Sequence, residues 1–306
     1  MDHGTRILVG AVATTVLAGC AGGTRSTVAP PAVHPVVSDG VVNVGAVALH
    51  LHCIGDGAPP VVIDAGLGLG GAAWLDVQRA VAETTRTCVY DRAGIGYSSR
   101  PAELPHTNDT MARELHELLL RAGLVGPFVL VGHSMGGVNV RLYADQHPTE
   151  VAGMVLVDAM NSEQVERYWS LMPKTALDEF HEGLSHVSEG TTYETLASGL
   201  AKMQAESRSI GDLPLVVLTR GKEDGFPGIT AEHAATMLRA WHDMQQELLH
   251  LSRNAVQVVA VNSHHNMQWD APHLVAASIR ETVRAVRAHG RVSTDTLAPL
   301  ATEGPQ

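Results

Sequence analysis

The hexapeptide GHSMGG, Gly132 to Gly137, sets one serine among small residues with the spacing G-x-S-x-G. The strand-forming run FVLV precedes it and the helix-forming run VNVRLYADQH follows, so the chain has to turn sharply at Ser134. A strand that turns at once into a helix strains the backbone of the turning residue and tolerates only small neighbours. The turn also lifts the hydroxyl toward free N–H groups at a helix N-terminus, where negative charge is favoured. That is the setting of a nucleophile. A hydroxyl needs a base, and the stretch NSHHNMQWDAP places His264 and His265 side by side near the C-terminal end. With 17 histidines in the chain, the pair alone does not say which one moves a proton, or which carboxylate orients it.

These residues must be held by a scaffold, and the pattern of apolar runs describes one. From about residue 41 short β-branched runs alternate with helical stretches: VVNV and VALHLHC as a hairpin, then PPVVIDAG, RTCVYD, PFVLVG, VAGMVLVDA, LPLVVLTRG and AVQVVAVN as strands. Between them lie amphipathic stretches, among them TNDTMARELHELLLRAG with Asn108 or Asp109 as its expected cap. Near-continuous apolar strands alternating with helices predict a mostly parallel, doubly wound α/β sheet of about eight strands, covered on both faces. The rhythm breaks at about 160–212, where only helical pieces such as EQVERYWSLM and YETLASGLAKMQAE occur. A helical cap inserted after the sixth strand is expected there.

Composition sets outer limits. The chain has 306 residues, 45% of them hydrophobic and 17% charged, which suits a folded domain with a substantial core. A formal charge of −11 argues against nucleic acid as a partner. At the N-terminus the charge-free run ILVGAVATTVLA is short for a bilayer span and suits a signal peptide. It ends in LAGC, resembling a bacterial lipobox, which would make Cys20 the lipidated residue and the membrane a partner. The expected layout is a signal at 1–19, a flexible tether at 20–40, a domain at 41–290 and a disordered tail at 291–306. Export would permit a bridge between the other two cysteines, Cys53 and Cys88.

Taken with GHSMGG, two further stretches resemble landmarks of serine hydrolases with the α/β-hydrolase fold. YDRAGIGYS, Tyr90 to Ser98, resembles the turn after that family's fourth strand, and DAGLGLGG, Asp64 to Gly71, stands at its oxyanion loop. The resemblance implies backbone N–H donors from Leu67 and Met135, the residue after the nucleophile. It implies His265 as base, seven residues before Pro272, with His264 lining the entrance or packing beneath the loop. For the acid it favours Asp224, three residues past Gly221, with Asp158 as the alternative and Glu223 as a third choice. The second and fourth strands of the fold are antiparallel neighbours, so the resemblance also favours a Cys53–Cys88 disulfide. The implied activity is esterase-like acyl transfer on a small, apolar substrate, with no metal or cofactor.

Two other classes stay open at this level. Gly66, Gly68 and Gly71 form G-x-G-x-x-G between a strand and a helix, and Asp91 ends the next strand. That is the outline of a dinucleotide site and would make the protein an NAD-dependent oxidoreductase. The same fold could also serve a tethered, non-catalytic protein that only binds a small ligand.

Overall fold

The computed structural model describes residue 1 and residues 38–206, 208–225 and 229–303. Cys20, the expected signal and most of the expected tether lie outside the described residues. Eight strands form one sheet: β1 (Asp39–Val44), β2 (Val47–Ile54), β3 (Val61–Asp64), β4 (Thr87–Tyr90), β5 (Phe128–His133), β6 (Val151–Val157), β7 (Leu215–Arg220) and β8 (Ala255–Ala260). Their order is β1-β2-β4-β3-β5-β6-β7-β8. The β1–β2 and β2–β4 pairs are antiparallel, and every other pair is parallel.

The strands are apolar on both faces because both faces are covered. Val62, Leu130, Met154, Leu156 and Val217 point to one side, into a core shared with Leu115, Leu118 and Tyr143. Those three belong to α2 (Asn108–Arg121) and α3 (Gly136–Gln146). Alternate residues Ile63, Val129, Val131, Val155 and Val216 point the other way, into a core with Val77, Leu274 and Ile279. Those come from α1 (Leu75–Ala82) and α9 (Pro272–Arg287). The period of two along each strand therefore sorts every side chain into one layer or the other.

The interruption after β6 is helical, as expected: α4 (Gln164–Arg167), α5 (Lys174–Ser185) and α6 (Tyr193–Glu206). After β7 comes α7 (Ala231–Glu247), and after β8 the short α8 (Met267–Asp270) leads into α9. A third apolar cluster joins Leu196, Leu200 and Met203 of α6 to Met111 of α2, Val138 of α3 and Met237 and Met244 of α7. The cap is thus packed onto the body through a core of its own.

Two local expectations are corrected. The cap of α2 is Thr107, whose side chain accepts from the Thr110 N–H at 3.2 Å, and Asn108 is already inside the helix. The segment after Arg291 is not disordered through residue 303. Leu297 is fully buried, Ala301 accepts from the Val261 N–H at 2.9 Å, and Val292 donates to Asn254 at 3.0 Å. Three apolar residues spaced through a polar stretch are enough to seat it on the second core. Among the described residues no helix is long and apolar enough to cross a membrane.

Cys53 and Cys88 are bridged, and they face each other in the antiparallel register of β2 and β4. The bond closes a loop with a sequence separation of 35. By loop-closure entropy such a link is worth about 4 kcal/mol through the unfolded chain. Replacing both cysteines by alanine is expected to lower unfolding stability by about 2–4 kcal/mol in urea titration; a loss below about 1 kcal/mol would show that the bridge does not tie the sheet's edge.

Candidate active site

Ser134 has φ +52, in the left-handed region, at the point where β5 gives way to α3. The turn is held by the Ser134 N–H donating to Val157 and by the Met160 N–H donating to the Ser134 carbonyl. A Cβ on Gly136 would stand 2.2 Å from the Asp64 carbonyl oxygen, so the spacing of small residues is demanded by the close passage of β3. Ser134 is nearly buried, and Met135 is fully so.

His265 lies in the loop after β8, and its Nδ1 is 2.7 Å from Oδ2 of Asp158. That carboxylate follows β6, has φ +44, and is fully buried. Its other donors are the Arg220 N–H at 2.9 Å, the Arg220 guanidinium at 2.8 Å and the Trp241 indole N–H at 2.7 Å. Burial would push the Asp158 carboxyl up, but the Arg220 charge and the His265 hydrogen bond hold it well below the usual carboxylate range. The imidazole thus donates from Nδ1 and keeps Nε2 as its basic nitrogen.

The favoured acid, Asp224, does not meet His265. Its N–H donates to Glu223 at 3.1 Å and its side chain lines the cavity beside Ser134. The reason is Arg220 at the end of β7: the guanidinium binds Glu223 at 3.0 Å as well as Asp158, which draws Glu223 inward and leaves Asp224 away from His265. Glu223 also accepts from the Tyr168 hydroxyl at 2.6 Å. His264 does not pack beneath the loop. It is about half exposed, with its N–H and Nδ1 at 2.8 and 3.2 Å from Asp270.

His133 is a contributor that sequence reasoning passed over. Its Nε2 donates to the His265 carbonyl at 3.0 Å, which fixes the His265 loop from the residue before Ser134. Its Nδ1 is buried without a partner.

The loop Asp64 to Gly71 is shaped by one buried guanidinium. Arg92, from the turn after β4, donates to the Ala65 and Gly66 carbonyls at 2.6 Å each, and pairs with Asp64 and with Glu189 of the cap. Glu189 also accepts from the Gly68 N–H at 2.9 Å, where φ is +74. With its carbonyls pulled one way, the loop leaves the Leu67 N–H without an acceptor among the described residues, and Met135 is in the same condition. Both are the donors expected for an oxyanion.

A cavity of about 360 Å³ opens onto Ser134 and His265. Trp169, Met172 and Phe180 of the cap line it, with Trp241 and Leu67 from the body. Leu196 and Met203 pack the cap onto the body without lining the cavity, while Trp169 does both.

The dinucleotide outline fails on Asp91. Asp91 is buried, and each of its oxygens accepts from a backbone donor, the Gly71 N–H at 2.9 Å and the Tyr97 N–H at 3.1 Å, so the carboxylate ties two loops together where a dinucleotide site would present it to a ribose. Among the described residues one group could bring three metal-ligating atoms together, His116, His147 and Glu150. The two rings are stacked at 3.7 Å and 5°, so their lone pairs lie in parallel planes and do not converge.

The sequence profile of the alpha/beta hydrolase fold family matches residues 59–220. A Bacillus subtilis protein, uncharacterized protein YqjL, is 29% identical over 74% of this chain and 85% of its own length. An AB hydrolase superfamily protein of Gibberella zeae is 27% identical over 75% of this chain and 87% of its own. A thermophilic esterase from Thermogutta terrifontis superposes with a TM-score of 0.57 at 20% identity, over 82% of this chain and 99% of that one. That likeness concerns the fold.

Burial, with His265 nearby, lowers His133 to about 3. In the unfolded chain the same imidazole takes its proton near pH 6.5. Between these values the unfolded state binds more protons, so stability rises with pH and is lost as pH falls, by up to about 1.4 kcal/mol per pH unit. His133→Gln is expected to flatten the plot of unfolding free energy against pH between about 6 and 4. A slope unchanged from the parent would assign the acid sensitivity to other groups.

Proposed function

Because the chain belongs to the alpha/beta hydrolase fold family, we propose that it is a serine hydrolase cleaving carboxylic esters or related acyl bonds through Ser134, His265 and Asp158. The observation that carries this reading is the 2.7 Å contact of His265 Nδ1 with a fully buried Asp158, beside a serine on a strained turn. A base so oriented is useful only if its other nitrogen faces a proton donor, and Ser134 lines the same cavity.

In this mechanism Ser134 Oγ attacks the carbonyl carbon while His265 Nε2 takes its proton. The imidazolium that forms is stabilised by Asp158, whose charge is locked in place by Arg220 and Trp241. The Leu67 and Met135 N–H groups hold the oxyanion, each typically worth about 3 kcal/mol in the transition state. His265 then protonates the leaving group, and water, activated by the same nitrogen, releases the acyl group from Ser134. A serine rather than a carboxylate as nucleophile favours acyl over alkyl transfer. The cap keeps bulk water from the cavity, which strengthens each of these interactions. The Cys53–Cys88 bridge supports an oxidising compartment, the setting that a signal and a lipidated Cys20 would require.

Hydrolysis of p-nitrophenyl acetate by the full chain tests the reading. Ser134→Ala and His265→Ala are expected to lose several orders of magnitude in kcat. Asp158→Asn is expected to lose about 10⁴-fold, at least about a hundredfold more than Asp224→Asn. His264→Ala should keep most activity. Turnover that survives Ser134→Ala would sink the acyl-enzyme route, and a deeper loss in Asp224→Asn than in Asp158→Asn would reverse the choice of acid.

A further inference from the structure

One cap residue reaches through to the loop beside Ser134. Glu189 lies between α5 and α6 and is fully buried. Its Oε2 accepts from Arg92 Nε at 3.1 Å, and its Oε1 accepts from Arg92 Nη2 at 2.8 Å and from the Gly68 N–H at 2.9 Å. The segment that carries it is seated on the body at both of its ends. A Cβ on Gly94, where φ is +90, would stand 2.2 Å from the Ser188 carbonyl oxygen, and the His106 N–H donates to the Gly190 carbonyl at 3.2 Å.

Charge balance does not call for this residue. Arg92 already pairs with Asp64, and a second buried carboxylate adds a desolvation cost that neutralising one guanidinium does not require. What Glu189 adds is direction. Two carboxylate oxygens against Nε and Nη2 fix the plane of the guanidinium, and the same Nη2 donates to the Gly66 carbonyl at 2.6 Å. The Gly66–Leu67 peptide is trans, so its N–H points opposite to its carbonyl. With the carbonyl held on Arg92, the Leu67 N–H faces the other way. The Leu69 N–H donates to the Gly66 carbonyl at 3.1 Å and Gly68 has φ +74, which closes a type II turn around Leu67. Glu189 takes the Gly68 N–H of that turn. The turn lies beside Ser134: a Cβ on Gly66 would stand 3.4 Å from Ser134 Cβ, and Gly66 and Leu67 both line the cavity.

Resting on the serine-hydrolase reading, we infer that Glu189 is a positioning residue for the oxyanion: through Arg92 and Gly68 it aims the Leu67 N–H at the substrate's carbonyl oxygen. The cap then does more than cover the cavity, because it supplies the far anchor of one oxyanion donor. An N–H aimed before charge develops needs no reorganisation in the transition state, whereas one on a loosened turn does. Glu189 therefore acts on the tetrahedral intermediates of acylation and deacylation and leaves binding of the uncharged ester alone.

The test compares butyl trifluoromethyl ketone with butyl methyl ketone as competitors of p-nitrophenyl acetate hydrolysis by the full chain. The fluorinated ketone reports the oxyanion: Ser134 Oγ adds to its carbonyl carbon, the serine proton passes to His265, and the carbonyl electron pair becomes an alkoxide. The methyl ketone binds without this step. Glu189→Ala is expected to lower kcat by about ten- to a hundredfold, with KM within about twofold. The Ki of the fluorinated ketone should rise by a similar factor while that of the methyl ketone stays unchanged. Glu189→Gln, which keeps one acceptor oxygen, should lose less, and Arg92→Lys, which lacks the planar fork, should show the same split. Losses shared equally by both ketones, or confined to KM, would make Glu189 a residue that only shapes the cavity and would overturn the inference. Unchanged constants in a folded Glu189→Ala would do the same. Where Glu189→Ala does not fold, Glu189→Gln and Arg92→Lys are read in its place; failure of all three to fold would assign the pair to folding alone and overturn the positioning role. Tryptophan fluorescence reads binding of both ketones independently of turnover, since Trp169 and Trp241 line the cavity. A parent protein that turns over no ester and binds the two ketones alike would instead remove the acyl-transfer reading itself.

Discussion

The C-terminal half of the structure depends on the four donors that meet Asp158. The backbone and guanidinium of Arg220 come from the end of β7, the indole of Trp241 from α7, and the imidazole of His265 from the loop after β8. A carboxylate without solvent is tolerated only when its lone pairs are filled by hydrogen bonds and its charge is countered. The requirement works in reverse as well. Because Asp158 must be satisfied, the ends of β6, β7 and β8 and the position of α7 are fixed relative to one another. His265 is therefore oriented by the same carboxylate that fixes these strand ends. Asp158 has a left-handed backbone, as Ser134 does. Strain of this kind persists only where surrounding contacts over-determine the geometry, and here four of them do.

A second buried guanidinium plays the matching part on the other side of Ser134. Arg92 ties the loop after β3 to Asp64 and to Glu189 of the cap. The cap is also held by Tyr168, whose hydroxyl lies between Arg220 and Glu223. Lifting the cap whole would break an ion pair on one side of the site and hydrogen bonds from a hydroxyl to buried charges on the other, and uncovering one buried charge typically costs about 3–5 kcal/mol. It also follows that loss of the cap would disturb the Asp64–Gly71 loop directly, through the Gly68 N–H on Glu189.

Much of this frame is legible in the sequence, because burial on two faces leaves a strong mark. All eight strands fall where β-branched runs stand, and the helical interruption after β6 falls where the strand signal stops. The turn at Ser134 is legible for the same reason: close passage of two backbones demands small residues, and small residues can be counted. What cannot be read is any choice settled by side chains distant in sequence. Asp158 and Asp224 both follow a strand, and nothing local distinguishes them. The residue that does so is Arg220, whose partners lie three and 62 positions away. Arg92 and Glu189 are 97 positions apart, and neither stands in a pattern that announces the other. The seating of the tail is equally hidden: Val292, Leu297 and Ala301 are spaced too widely to form a run, yet each is buried.

Arg220 explains the arrangement of acids more fully than any motif does. A guanidinium buried at the end of an inner strand has to share its charge among carboxylates that reach it without water. Asp158 comes from the neighbouring strand end, and Glu223 returns from the loop one turn later. With Glu223 committed inward, Asp224 is displaced from the path to His265 and left facing the cavity. The consequence is a division of labour between two aspartates of the same type. One is buried, fully bonded and held as an anion that can stabilise an imidazolium. The other keeps a carboxylate on the cavity wall with no hydrogen bond to any described residue. A change at Arg220 would therefore act on both at once, on the contact that orients His265 through Asp158 and on the inward turn of Glu223 that leaves Asp224 at the wall.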